Sequence, residues 1–158
     1  ALPISDTYAK DAVTEYDLMC RAMEQVFDIE QTQQVIENTE NINSAWALAE
    51  YGGQPTITVL AAPSTEPDKR RANTADTFLF WQDKKAVGTG KRILIVTSQI
   101  YVPYQQLEAA RILGMRYGHS VETIGFPREW SGNMSGLQTA ANYLQEIRSV
   151  LQSMKKLL

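Results

Sequence analysis

The sequence predicts an α/β fold: a three-layer, Rossmann-like domain with a parallel central sheet, helices on both faces and a helical N-terminal region. Three observations predict it. Ile93-Leu94-Ile95-Val96 is a continuous apolar run, preceded by Lys91-Arg92 and followed by Thr97-Ser98, as expected of a strand buried on both faces. Pro103 then suits a first helical turn, and Leu107, Ala110 and either Leu113 or Gly114 follow at helical spacing. From residue 55 onward, β-rich runs alternate with helical stripes, the pattern of βαβ units whose strands are parallel neighbours.

Taken in order, Asp6 or Thr7 caps a first helix whose stripe is Ala9, Val13, Tyr16, Cys20, Met23 and Phe27. Asp28–Thr39, rich in Gln, Glu and Asn, reads as a second, exposed helix. Asn41 or Asn43 caps a short third helix through Trp46 and Leu48, closed by Gly52-Gly53. Thr56–Leu60 is a short strand and Ala61–Ala72 a loop. Asn73 or Thr74 caps a helix through Ala75, Phe78, Leu79 and Trp81, which Gly88 and Gly90 separate from the central strand. After the central helix, Ser120–Gly125 is a further strand and Pro127–Gly136 a loop. The clearest period is in the last helix: Leu137, Ala141, Leu144, Ile147, Leu151, Met154 and Leu158. The 158 residues read as a single domain, helical to about residue 54 and built of strand–helix repeats over 55–158.

Composition narrows the function classes. Fifteen basic against eighteen acidic residues give a net charge of −3, which provides no electrostatic drive towards nucleic acid. Cys20 is alone, so no internal disulfide exists, and its helical position marks it as a small core residue. No apolar run reaches membrane-span length and Ala1–Lys10 is not a signal peptide, so the chain reads as soluble and cytoplasmic, with a leader or anchor before Ala1 left open. No ligand spacing points to a metal, and the single histidine, His119, has no partner for a triad. Gly88-Thr89-Gly90-Lys91 precedes a strand, whereas a phosphate loop precedes a helix.

Parallel topology locates a site. The loops Ala61–Ala72, Ser98–Val102 and Phe126–Gly136 would emerge at one sheet edge, each leading to a helix amino terminus that favours an anion. The ligand-binding candidates are therefore Asn73, Thr74, Thr97 and Ser98, with Arg71 and Arg128 as paired guanidinium groups and Tyr101 and Tyr104 as stacking surfaces. Each has a structural alternative: Asn73 and Thr74 as helix caps, Thr97 and Ser98 as partners for strand-end backbone, the tyrosines as packing, the arginines as solvated loop residues. Glu15, in a first helical turn, is the one candidate general base. His119 falls at the opposite edge.

Three short signatures resemble the YdcF–SanA–ElyC family of bacterial α/β domains. Thr14-Glu15 is similar to its Ser/Thr-Glu helix start, and Asn73-Thr74 with Asp76 to its Asn-Thr-x-Glu-Asn element. Val96-Thr97-Ser98 followed by Pro103 is similar to its Val-Thr-Ser-x-x-His-x-Pro-Arg loop. Tyr101 and Tyr104 stand where that loop has His and Arg, Arg71 replaces a Ser, Thr77 replaces an Asn, and the opening strand with its Gly-Gly turn has no counterpart, as in a fragment of a longer protein. The resemblance implies a phosphorylated or nucleotide-like ligand, S-adenosylmethionine among the options, and a link to the cell envelope. Three functions follow: a small-molecule binding domain, an enzyme on an envelope or nucleotide-linked substrate, or a module for protein interaction or homo-oligomerisation through an unprotected sheet edge.

Overall fold

A computed structural model describes residues 14–85, 87–127 and 139–157. The chain divides into two compact units, one up to Trp81 and one from Gln82.

The first unit opens with α1, Glu15–Arg21, which continues as a π-helical turn, Ala22–Val26. Thr14 caps it reciprocally with Asp17: Thr14 Oγ1 accepts the Asp17 N–H and Asp17 Oδ2 accepts the Thr14 N–H. The expected caps Asp6 and Thr7 lie outside the described residues. Three strands follow, β1 (Gln31–Glu37), β2 (Trp46–Tyr51) and β3 (Ile57–Ala61), in an antiparallel sheet ordered β1-β2-β3. α2, Thr74–Lys85, comes after a long loop, and the division between the units falls within it.

Two expected helices are strands. Gln31–Glu37 is full of good helix formers, but it takes its backbone partners from β2 as an exposed edge strand. In β2, Ala47, Ala49 and Tyr51 alternate with Trp46, Leu48 and Glu50, a period of two that six residues of helix-forming composition disguise. Ala47, Ala49 and Tyr51 align with Ala61, Val59 and Ile57 of β3 and pack with Tyr16 and Cys20 of α1, which forms the core of this unit. Cys20 is thus the buried core residue its helical position implies. The other sheet face carries Leu48 and Trp46, whose indole meets the Phe80 ring at 5.4 Å between centroids.

The second unit contains β4 (Arg92–Ser98) and β5 (Ser120–Phe126), paired in parallel from Arg92↔Ser120 to Ser98↔Phe126. Between them a 3-10 turn, Gln99–Tyr101, leads into α3, Val102–Ala109, and a π-helical stretch, Ala110–Arg116. Gly118, at φ 72°, then reverses the chain, its N–H donating to the Gly114 carbonyl. α4, Ala140–Lys155, is capped by Thr139 and packs on α3.

The predicted fold class is therefore corrected. The described residues form a mixed α/β structure with a three-stranded antiparallel sheet and a separate two-stranded parallel sheet, and no parallel central sheet carries helices on both faces. β3 exists near the expected place but pairs antiparallel with β2. Ile93–Val96 is not buried on both faces either. Ile93, Ile95, Val121 and Thr123 are half-buried on one face, while Leu94, Val96 and Ile124 on the other are 57%, 61% and 43% exposed.

Candidate functional site

Of the residues expected to bind a ligand, Thr97 and Ser98 stand at the carboxyl end of β4 in the parallel pair. Thr97 pairs with Gly125 and Ser98 with Phe126, so β4 and β5 end level at their carboxyl edge. Buried Ile100 anchors the turn that follows. That turn folds tightly over β5: a Cβ at Gly125 would come within 2.7 Å of the Gln99 Cα and 2.9 Å of Val102 Cγ2, so only glycine fits.

Ser98 precedes the 3-10 turn without its hydroxyl capping it, and no side chain caps the amino end of α3. The starts of α1 and α4 have reciprocal side-chain caps, and Asn73 serves α2. Thr97, Ser98, Tyr101 and Tyr104 thus lie along one strand-to-helix segment, all half-buried, at the positive end of a helix. The segment Thr97–Tyr104 carries hydroxyls and phenols and no carboxylate or imidazole for proton transfer.

Asn73, Thr74 and Arg71 belong to the first unit. The loop before them follows β3, a strand of the antiparallel sheet and not of the parallel pair that ends at Thr97 and Ser98. Asn73 Oδ1 accepts the N–H groups of Ala75 and Asp76, and the Asn73 N–H donates to Asp76 Oδ2, a reciprocal cap. Thr74 is half-buried in the first turn, and Arg71 is exposed with its carbonyl accepting from Arg70 Nη1.

The centre of that loop is Asp76, which sequence reasoning treated only as part of a signature. Its carboxylate is 2% exposed. It receives the Thr65 N–H and hydroxyl, the Asn73 N–H and both terminal nitrogens of Arg70, and Arg70 also reaches Glu66. Burial alone would raise this carboxyl, but Arg70, Thr65 and Asn73 outweigh it and hold it at about 2. The Asn-Thr-Ala-Asp spacing was the available signal, since a carboxylate three residues past a cap closes a capping box.

A second buried carboxylate, Glu108 on α3, is fully enclosed. It receives Ser153 Oγ of α4 at 2.6 Å and Arg111 Nη2 at 2.5 Å. Burial pushes it up, but Arg111 and Ser153 prevail and keep it below the ordinary glutamate range. His119 is buried at the amino end of β5, the edge opposite Ser98. Its Nδ1 accepts the Lys91 N–H, so Nε2 carries the proton and donates to Gln82 Oε1. Its role is structural.

Glu15 is exposed on the first turn of α1. Arg128 lies outside the described residues, as do Trp130 and Asn133. Among the described residues no group of three or more His, Cys, Asp or Glu side chains is placed to hold a metal, and no helix is long and apolar enough to cross a membrane.

Comparison with known proteins adds relatives without roles. The chain is 35% identical over 161 residues to uncharacterized proteins of Mycobacterium bovis and of two Mycobacterium tuberculosis strains. Each alignment covers 95% of this chain and 44% of the relative, so the chain spans less than half the length of these relatives. No family model matches it, and neither does any solved structure.

Proposed function

We propose that the unit from Gln82 onward binds a small anionic ligand, phosphorylated or nucleotide-like, at the carboxyl edge of β4 and β5. One observation carries the reading: two parallel strands end in register beside a helix start that no side chain caps. Open α/β sheets bind ligands at that edge, and the positive end of a helix favours an anion there. Thr97 and Ser98 supply hydroxyls to the anion, and Tyr101 and Tyr104 supply faces for a base or sugar ring. The resemblance of Val96-Thr97-Ser98 and Pro103 to the YdcF–SanA–ElyC loop supports this choice of segment and makes S-adenosylmethionine a ligand to include. Tyr101 and Tyr104 in place of its His and Arg favour binding over acid–base catalysis.

The test is a thermal-shift and calorimetric screen of nucleotides, sugar nucleotides, S-adenosylmethionine and inorganic phosphate. A ligand at a hundred times its dissociation constant stabilises the folded state by about 2.7 kcal/mol, well within detection. Ser98→Ala and Tyr101→Ala are expected to weaken binding about tenfold each, the loss of one hydrogen bond or one stacking surface. Failure of every compound to stabilise the protein at millimolar concentration refutes the proposal.

A further inference from the structure

Asp76 and Glu108, the fully buried carboxylates, are each met by an arginine and by a hydroxyl donor. Glu146 of α4 is met by neither. Its Oε2 is shut off from water and has no hydrogen-bond partner among the described residues, while the residue as a whole stays half-buried. An ionised carboxylate accepts at both oxygens, and native proteins leave few such atoms unmatched. Burial raises this carboxyl from its ordinary value, since no neighbour replaces the water it has lost.

The position of Glu146 connects it with the strand edge. The residues of α4 withdrawn from solvent, Asn142, Glu146, Ser149, Val150 and Ser153, form one helical face. Ser153 meets Glu108 in the last turn of α3, and α4 also approaches the Gln99–Tyr101 turn that precedes α3. A helix makes both contacts by running in the same direction as α3. Glu146 lies seven residues before Ser153, about 10 Å nearer the start of both helices. It therefore stands level with Tyr101, which lies seven residues before Glu108.

We propose that Glu146 holds the ribose hydroxyls of the ligand, which makes the ligand a ribonucleotide; the inference rests on the binding edge proposed above. The order of groups selects this class. Ser98 ends the strand, Tyr101 follows it, and Tyr104 lies one helical turn further on. In a ribonucleotide the ribose likewise lies between phosphate and base. A carboxylate level with Tyr101 repels the phosphate and accepts from neutral donors, and a vicinal diol supplies two of them. Acidic side chains take ribose hydroxyls in this way at other α/β sheet edges.

Calorimetry with ATP, GTP, CTP and UTP and their 2′,3′-dideoxy counterparts tests this, alongside thermal unfolding of the free protein. The wild type is expected to bind at least one ribonucleotide about tenfold or more tighter than its dideoxy form, the loss expected for hydrogen bonds to a charged acceptor. Glu146→Leu is expected to bind the two forms alike, and Glu146→Gln to keep part of the preference. Without ligand, Glu146→Leu should melt about 2–4 °C higher, because it removes a desolvated and unpaired charge. Equal affinity of the wild type for both forms, or a preference that survives in Glu146→Leu, overturns the inference and leaves the binding edge standing. A lower melting temperature for Glu146→Leu assigns the residue to structure and overturns it as well. Binding of none of the eight compounds overturns it too, and if inorganic phosphate and the other anions also fail, the binding edge falls with it.

Discussion

Replacing Asp76 by Asn keeps the shape of the side chain and removes its charge, which isolates what the carboxylate contributes to the first unit. The native carboxyl sits at about 2, against about 3.9 for a free aspartate. At 1.36 kcal/mol per pH unit that difference is roughly 2.5 kcal/mol of folding free energy at neutral pH. A buried pair that loses one partner costs 3–5 kcal/mol, but the Arg70 side chain is 31% exposed and water relieves part of that penalty. A loss of about 2–3 kcal/mol at pH 7 is therefore expected. The sign of the pH dependence follows from the depressed native value. The contribution is complete above the unfolded value and disappears as pH falls from about 5 through about 2. Urea unfolding followed by tryptophan fluorescence, with Trp46 packed against Phe80 in the same unit, should show the gap between wild type and Asp76→Asn close across that range. A gap that stays constant from pH 7 to pH 2 refutes the electrostatic account and leaves only the lost packing and cap.

Two further predictions concern the second unit. Gly125→Ala should destabilise it by about 1–3 kcal/mol, the usual cost of forcing an extra carbon into a packed site, because the new Cβ meets the Gln99 backbone; the thermal midpoint measures this, and an unchanged midpoint refutes the close approach. Glu108→Ala should cost about 1–3 kcal/mol by leaving Arg111 and Ser153 without their buried acceptor. The Ser153→Ala loss, measured by denaturant midpoint, should then fall to near zero in that background, since the two residues share one bond.

What was legible in the sequence was local. Ile93–Ser98, Ser120–Gly125 and the helices after Asn73 and through Leu151 are all present, because continuous apolar runs, caps and long helical periods are properties of neighbouring residues. The antiparallel sheet was not legible. Gln31–Glu37 and Trp46–Tyr51 have helix-forming composition, and only their pairing with each other and with β3, across turns of no strong signature, makes them strands. Those two misread segments changed the fold class, since β3 became an antiparallel partner of β2. The strand end at Thr97 and Ser98 was readable because it depends on one strand, and the order of the sheets was not. Asp76 and Glu108 escaped notice because a carboxylate in a helix pattern looks solvated until its tertiary donors are known.

The two largest discrepancies in the second unit have one physical origin. Hydrophobic patterning identifies which face of an element avoids water, and it does not identify what covers that face. The run Ile93–Val96 has the composition of a strand covered on both sides, yet α3 packs on this pair while Leu94, Val96 and Ile124 stay open. Leu144, Ile147, Leu151 and Met154 have the composition of a buried stripe, yet they are about half exposed or more, while Ser153 of the same helix is buried against Glu108. Exposed apolar residues scattered singly need no explanation, but ordered rows of them do. In both rows the spacing is the ordinary one of its element, period two on the strand and three-four-three on the helix. The same residues misled the expectation of a closed domain, because composition records an apolar side chain and not its cover.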